Sequence, residues 1–317
     1  MANPKYSVVI PVFNRPQEVD ELLESLTKQS FIDFEVVLVE DGSSITCEKV
    51  FEKYSDKLSL RYFFKPNTGP GPSRNFGFAK AQGTYFVVFD SDCIIPSTYF
   101  EAVDNFLKQS PLDAWGGPDR AHENFTPVQR AMGYTMSSVL TTGGIRGGNS
   151  KGFQPRSFNM GISKEVFLKT GGFQFDRFAE DIEFSIRMKK MGFAVGLIPD
   201  AFVYHKRRTS FSQFYKQVFN FGKGRVLVGK VHPGEIKLTH WFPSLFLVGF
   251  VFSLLLIFLE PQVGLIALTG YALYFIIIAT HCLLVNKSLV VSILSIPSAA
   301  IQLAGYGTGF LREMTKS

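Results

Sequence analysis

From residue 241 to 259 the chain carries no charged side chain, and from 263 to 285 only His281 can titrate. At ~1.5 Å of helical rise per residue, each run is long enough to cross the hydrocarbon of a bilayer. Glu260-Pro261 makes a tight break between them, so the two read as a hairpin. Asn286-Lys287-Ser288 leads into a third apolar stretch, 289–311, interrupted by Pro297, Gln302 and several glycines. That stretch either crosses the membrane or lies partly in its interface. The competing reading of all three is a set of buried core helices. At the other end, Met1-Ala2-Asn3-Pro4-Lys5 has no apolar run of the kind a cleavable signal peptide needs.

The segment before the hairpin is basic. Lys206, Arg207, Arg208, Lys216, Lys223, Arg225, Lys230 and Lys237 crowd it, with Phe211, Phe214, Tyr215, Phe219 and Phe221 interleaved. A basic, aromatic, helix-prone segment beside apolar runs suits an anionic membrane surface. Arg207 and Arg208 are also candidates to hold the phosphate of a lipid-linked acceptor. Interleaved cations and aromatics can bind single-stranded nucleic acid, but adjacency to the apolar runs favours lipid. The positive-inside rule then puts everything before 241 in the cytoplasm, under the inner membrane. Lys287 falls on the same side if the runs form a hairpin. Arg312 and Lys316 prefer that side too, which conflicts with a third complete crossing. The formal charge of +6 suits anionic partners. The scattered Cys47, Cys93 and Cys282 make neither a disulfide framework nor a metal-ligand spacing. The chain thus divides into 1–235 and a membrane region, 236–317, with two or three spans.

In the first part, short apolar runs alternate with helical spacing. Strands are expected at 6–12, 34–40, 60–64 and 85–89, and helices at 17–29, 46–54 and 73–81. Strict alternation implies an α/β fold with a mostly parallel sheet and right-handed crossovers. Ligands of such sheets sit outside the carboxyl ends of the strands. Asn14, Arg15, Asp41, the loop from Lys65 to Arg74, Asp90 and Asp92 all lie there. The first turn lacks Gly-x-Gly-x-x-Gly, which disfavours a dinucleotide site. Asp90-Ser91-Asp92 closes the buried run of the fourth strand. If the extended geometry persists through Ser91, both acids project to one side. A divalent cation, Mg²⁺ or Mn²⁺, resolves their repulsion and shares its shell with substrate phosphates. The competing reading is that they open a turn and cap a helix near Ser97.

Four motifs in order, Val8-Val9-Ile10-Pro11-Val12-Phe13-Asn14-Arg15, Val39-Glu40-Asp41-Gly42-Ser43, Gly71-Pro72-Ser73-Arg74-Asn75-Phe76-Gly77 and Asp90-Ser91-Asp92, resemble those of family 2 glycosyltransferases of the GT-A fold. The resemblance covers about the first 230 residues. It implies a Rossmann-like catalytic domain and a nucleotide-sugar donor. Pro11 and Phe13 would line the base pocket, Arg15 would join the nucleotide site, and Asp41 would accept from the nucleobase. Arg74 would sit near the phosphates, Asp90 nearer the ribose, and Asp92 on the metal.

Farther along, 111–157 is loop-rich, with Gly116-Gly117, Gly143-Gly144 and Gly147-Gly148, and a helix is expected within 128–140. Such loops either order over a substrate or form a plain surface loop. A strand at 158–163, helices at 164–170 and 180–191 and a strand at 193–198 follow. Glu180 and Asp181 are ordinary acids for a first helical turn. By the resemblance, Asp181 is the general base for the acceptor hydroxyl, with Glu180 a possible acceptor contact. A lone histidine is usually structural, but the resemblance makes His205 a further metal ligand. One metal and one base suit a single inverting displacement. Gln217-Val218-Phe219-Asn220-Phe221 departs from the Gln-x-x-Arg-Trp of processive synthases, which implies one sugar per encounter. The expectation is a membrane-anchored glycosyltransferase acting on a polyprenyl-linked acceptor in cell-envelope glycan synthesis. The alternatives are a non-catalytic anchored scaffold or nucleotide-sugar binder, and a nucleotidyltransferase.

Overall fold

The computed structural model describes residues 3–120, 122, 125–142, 153–206 and 208–316. They form two compact units, one of Met1–His122 with Gly148–Lys206 and one of Glu123–Gly147 with Arg207–Ser317. Compactness therefore groups the basic segment with the apolar helices, whereas the sequence boundary was drawn at 235.

In the first unit, β1 (Tyr6–Val12), β2 (Phe34–Asp41), β3 (Leu60–Lys65) and β4 (Tyr85–Phe89) alternate with α1 (Pro16–Leu26), α2 (Glu48–Tyr54) and α3 (Pro70–Lys80). β5 (Cys93–Ile94), α4 (Tyr99–Gln109), β6 (Ala114–Gly116) and β7 (Asp119–Arg120) follow. The second unit then contributes α5 (Pro127–Ser137) and α6 (Val139–Thr142), and the chain returns through β8 (Asn159–Ser163), α7 (Lys164–Thr170), α8 (Glu180–Lys190), β9 (Val195–Leu197) and β10 (Val203–His205). The main sheet has the order β3-β2-β1-β4-β8-β6-β9, and β5-β10-β7 form a small second sheet.

β1 is parallel to β2 and β4, and β2 to β3, as the alternation predicts. β8 is antiparallel to both of its neighbours. β8 begins opposite Phe89, at the carboxyl end of β4, and runs back along it to Tyr85. Period-2 alternation splits the apolar side chains between two cores. Val8, Ile10, Leu38 and Phe89 pack with Leu22, Leu23 and Phe100 on the face of α1 and α4. Val9, Val39 and Val88 pack with Phe78, Val166, Phe184 and Met188 on the face of α3, α7 and α8.

Several sequence expectations change. The helix expected within 128–140 is two helices parted at Ser138, whose backbone is extended. The strand expected at 158–163 begins at Asn159, and that at 193–198 shortens to three residues. Gly143-Gly144 and Gly147-Gly148 lie outside the described residues.

In the second unit, the basic segment forms α9 (Phe211–Val231), followed by α10 (Phe242–Leu259), α11 (Pro261–Asn286) and α12 (Leu289–Met314). The last three are long and apolar enough to cross a membrane. α12 continues through Pro297 without a break.

Candidate active site

The carboxyl edge of the parallel strands is built by loops that fasten to one another. Asn14 has a positive φ of 55°, and its Oδ1 accepts from the backbone N–H groups of Ser44 at 2.8 Å and Ile45 at 3.0 Å. The loop after β1 is thereby locked to the loop after β2. Phe13, beside it, is 50% exposed, an aromatic face open to a ligand. Pro11 is partly buried near the end of β1.

Asp41 closes β2 and is buried. Its carboxylate accepts from Lys65 Nζ and from the backbone of Thr68 and Gly69, each backbone bond at 2.9 Å. Burial alone would raise its pKa, but Lys65 and the two backbone donors outweigh it and hold the pKa below the usual value. The Ser73 side chain adds to this, so the carboxylate is held by its own loops. Gly71 sits where a Cβ would lie 2.1 Å from the Phe175 carbonyl oxygen, and its N–H donates to the Asp176 carbonyl at 3.0 Å. The Gly-Pro-Ser-Arg motif therefore needs glycine at this position so that the loop leading to α8 can close on it.

The two acids after β4 do not share a side. The strand ends at Phe89, and a turn closed by Cys93 N–H donating to the Asp90 carbonyl at 3.1 Å replaces the expected extended geometry. Asp90 meets Arg74 of α3, whereas Asp92 meets Arg15 at the head of α1, both at 2.8 Å. The repulsion expected between them is met by these two guanidinium groups. Neither acid caps α4, whose N-terminus has no side-chain cap.

Arg74 is buried and has a second partner, Glu180 Oε1 at 2.8 Å. One guanidinium thus serves Asp90 and Glu180 while Asp181 stands beside them. Burial pushes Glu180 up to about 7; Arg74 opposes that shift and Asp181 adds to it. Asp181 accepts from Ser157 N–H at 3.3 Å, and Arg156 Nη1 lies 3.9 Å from its other oxygen. The next residue, Phe158, stacks on the His205 ring with centroids 4.7 Å apart. His205 Nε2 lies 3.2 Å from Asp92 Oδ1. Residues 157 and 158 therefore connect Asp181 to the Asp92–His205 pair along one edge.

Residues 7–171 match the sequence profile of Glycosyl transferase family 2. The chain belongs to that family. It is 24% identical over 221 residues to the uncharacterized glycosyltransferase EpsJ of Bacillus subtilis (strain 168), covering 66% of this chain and 63% of that one. It thus spans less than two thirds of that relative's length. Among solved structures, the mannosyltransferase PcManGT from Pyrobaculum calidifontis in complex with GDP-Man and Mn²⁺ superposes with TM-score 0.62 at 16% identity, covering 100% of this chain and 89% of that one. S. aureus TarS 1-349 in complex with UDP-GlcNAc gives 0.55 at 21% identity, covering 94% and 90%. These likenesses show the GT-A fold.

The structure adds three side chains to this candidate site, to none of which the sequence reading gave a role of its own. Lys65 pairs with Asp41, Arg156 stands at Asp181, and Phe158 holds the His205 ring. Arg187, on a helix i,i+4 from Glu183, pairs with it at 2.8 Å and caps the Thr170 and Gly172 carbonyls at 2.7 and 2.6 Å. That spacing was a readable signal for the Glu183–Arg187 pair. Of the two acceptor-side arginines, Arg208 belongs to the helical unit and Arg207 lies outside the described residues.

A divalent cation fits the chemistry of Asp92 and His205. Together with Cys93, their ligand atoms lie within 4.8 Å of one another. His205 Nδ1 is buried with no hydrogen-bond partner among the described residues. Carboxylate oxygen and imidazole nitrogen both suit Mn²⁺-type ions. Cys93 is a poor third ligand, because burial and the neighbouring acids push its thiol far up and keep it protonated.

Proposed function

We propose that this protein is a membrane-anchored, inverting glycosyltransferase. It moves one sugar from a nucleoside-diphosphate sugar to a polyprenyl-linked acceptor at the cytoplasmic face of the inner membrane. The observation that carries the reading is the single edge on which Asp92–His205 and Asp181 meet through Ser157 and Phe158.

In this reading Pro11 and Phe13 bracket the nucleobase, and Asp41 accepts from a base N–H. Asp92 and His205 hold a divalent cation, which when bound neutralises charge on the leaving diphosphate. Arg15 leaves Asp92 as the donor arrives and joins the nucleotide phosphates. Arg74 fixes Asp90 near the ribose and Glu180 near the acceptor. Asp181 takes the proton of the acceptor hydroxyl as its oxygen attacks the anomeric carbon from the face opposite the diphosphate. One displacement inverts that carbon. The basic helix α9 and the apolar helices beyond it support an acceptor that lives in lipid.

The test is turnover with Mn²⁺ across a panel of nucleotide sugars. Nucleoside diphosphate is expected in step with sugar transfer, with an inverted anomer by NMR. Asp181→Asn should lower transfer about 10²- to 10⁴-fold while the thermal shift given by the donor persists. Release of pyrophosphate would mark a nucleotidyltransferase, and donor binding without turnover would mark an anchored binding protein; either result overturns the proposal.

A further inference from the structure

The levels of α10 and α11 can be read from their contacts. A Cβ on Gly264 would lie 2.6 Å from Ile257 N, Phe250 packs on Tyr271 with ring centroids 5.2 Å apart, and Phe246 on Tyr274 at 5.2 Å. Each step toward the start of α10 is matched by a step toward the end of α11. Pro243 and Ser244 therefore share with Ile278–Cys282 the end of the hairpin away from Glu260.

α12 touches that same end twice. Near its start, Ser292 Oγ donates to the Ala279 carbonyl at 2.7 Å. Near its finish, Ser244 Oγ donates to the Gly307 carbonyl at 3.3 Å, and Phe310 packs edge-on against Trp241 at 4.9 Å. Between Ser292 and Gly307 the helix advances ~22 Å. A helix running along the hairpin would by then stand near Glu260. It stands at Pro243 instead, so α12 lies across the hairpin.

α9 gives a second, independent argument. It precedes α10, so it lies on the side where α10 starts. It packs on the last turns of α12 through glycines that bring the backbones together. A Cβ on Gly309 would meet the Phe219 carbonyl oxygen at 2.0 Å, and one on Gly222 would meet that of Tyr306 at 2.2 Å. Tyr215 Oη bonds Thr308 Oγ1 at 3.0 Å, and Glu313 pairs with Lys316 at 3.3 Å and reaches Lys223 of α9 at 4.0 Å. α5 joins the same level, because Tyr134 Oη lies 2.7 Å from His281 Nδ1 and donates to the Ile278 carbonyl at 3.1 Å.

We infer that only α10 and α11 cross the bilayer and that α12 lies in the plane of the membrane interface, where with α5 and α9 it forms a platform on the leaflet from which α10 enters. The inference rests on the membrane reading of the hairpin proposed above. The most apolar window of α12 is 44% buried, against 11% in α10 and in α11, as expected of a helix covered on one side by protein. The exposed apolar side chains of α12 are Leu289, Val290, Ile293 and Ile296 in its first turns and Met314 in its last, a surface fit for acyl chains. Lys287 and Arg312, exposed near its two ends, suit anionic headgroups. The arrangement also removes the charge conflict, since Lys287, Arg312 and Lys316 all stay on the α9 side.

The test uses single cysteines in the full chain, labelled by a membrane-impermeant maleimide in right-side-out and inverted vesicles; the three native cysteines are buried. Lys316→Cys and Lys287→Cys are expected to label from one side and Glu260→Cys from the other. Lys316→Cys labelling with Glu260→Cys would overturn the in-plane helix while leaving the anchored hairpin standing. Glu260→Cys labelling with Lys287→Cys would overturn the hairpin itself, and the inference with it. A spin label at Ile293→Cys should report a shallow position in the bilayer, and either a mid-bilayer depth or full exposure to water would also overturn it.

Discussion

Asp90, at the end of β4, and Glu180, at the start of α8, share the single guanidinium of Arg74 at 2.8 Å each. One buried cation thus ties the end of β4 to the start of α8. Arg74→Ala would leave two acids facing each other. We expect a loss of about 3–5 kcal/mol, the usual cost of stripping one partner from a buried pair. Arg74→Lys should also destabilise, because an ammonium lacks the planar fork that reaches both carboxylates. Thermal unfolding of the full chain checks both, and an unchanged midpoint for Arg74→Ala would contradict the bridge.

Glu180 gives stability a pH dependence. Its folded-state pKa is raised by burial from the ordinary 4.5 to about 7. The folded state keeps this proton where the unfolded chain has lost it, so the contribution is complete below 4.5 and disappears as pH rises toward about 7. Unfolding midpoints measured across that window should fall more steeply for the wild type than for Glu180→Gln, and parallel curves would remove Glu180 as the cause.

Much of the fold was readable because the first four strands are short, largely apolar runs with helical spacing between them. The rest was hidden for identifiable reasons. β5, β7 and β10 have two or three residues each, too few to show a period. The reading of Asp90 and Asp92 as neighbours assumed that the strand went on, whereas Asp-Ser-Asp opens a turn after Phe89, as the competing reading of these turn-favouring residues had it. Pairing across the chain was equally invisible. Arg15 to Asp92 and Arg156 to Asp181 join residues that only the folded sheet edge brings together. Pro297 argued against a long last helix, yet α12 is covered on its glycine and serine faces by neighbours, and that packing tolerates the missing donor.

Two substitutions should move cation affinity in opposite directions. His205→Ala removes a ligand of the proposed cation site and should weaken Mn²⁺ binding about 10-fold or more. Arg15→Ala frees the Asp92 oxygen that Arg15 holds at 2.8 Å. Because that partly exposed ion pair is worth ~1 kcal/mol, Mn²⁺ should bind the donor-free protein a few-fold more tightly. Titration of Mn²⁺ by electron paramagnetic resonance reads both. Weaker binding in Arg15→Ala would mean that Arg15 helps to build the site and does not compete for it.

Gly71→Ala tests the closure of the α8 loop. The new methyl would lie 2.1 Å from the Phe175 carbonyl oxygen, so backbone must shift. Because Gly71 N–H also holds the Asp176 carbonyl at 3.0 Å, the shift pulls on the segment that carries Glu180 and Asp181. If Asp181 acts on the acceptor as proposed, loss of transfer should exceed loss of donor affinity. Equal losses would place the damage at the nucleotide site.

Arg156 should matter through Asp181. At 3.9 Å it is an ion pair without a good hydrogen bond, and Ser157 N–H, one residue on, holds the other carboxylate oxygen at 3.3 Å. Ile182 N–H also donates to the oxygen that Arg156 faces, at 2.8 Å, so the three groups together hold the carboxylate in place. Arg156→Gln keeps a polar side chain but shortens it and removes its charge, so Asp181 gains freedom to turn. Misplaced general bases lose rate while ground-state binding survives. We expect kcat to fall about 10-fold with the donor Kd unchanged, and Arg156→Lys to recover part of the loss because it restores a cation near the oxygen. If Arg156→Gln instead raised the acceptor KM and left kcat alone, Arg156 would be binding the acceptor rather than positioning the base.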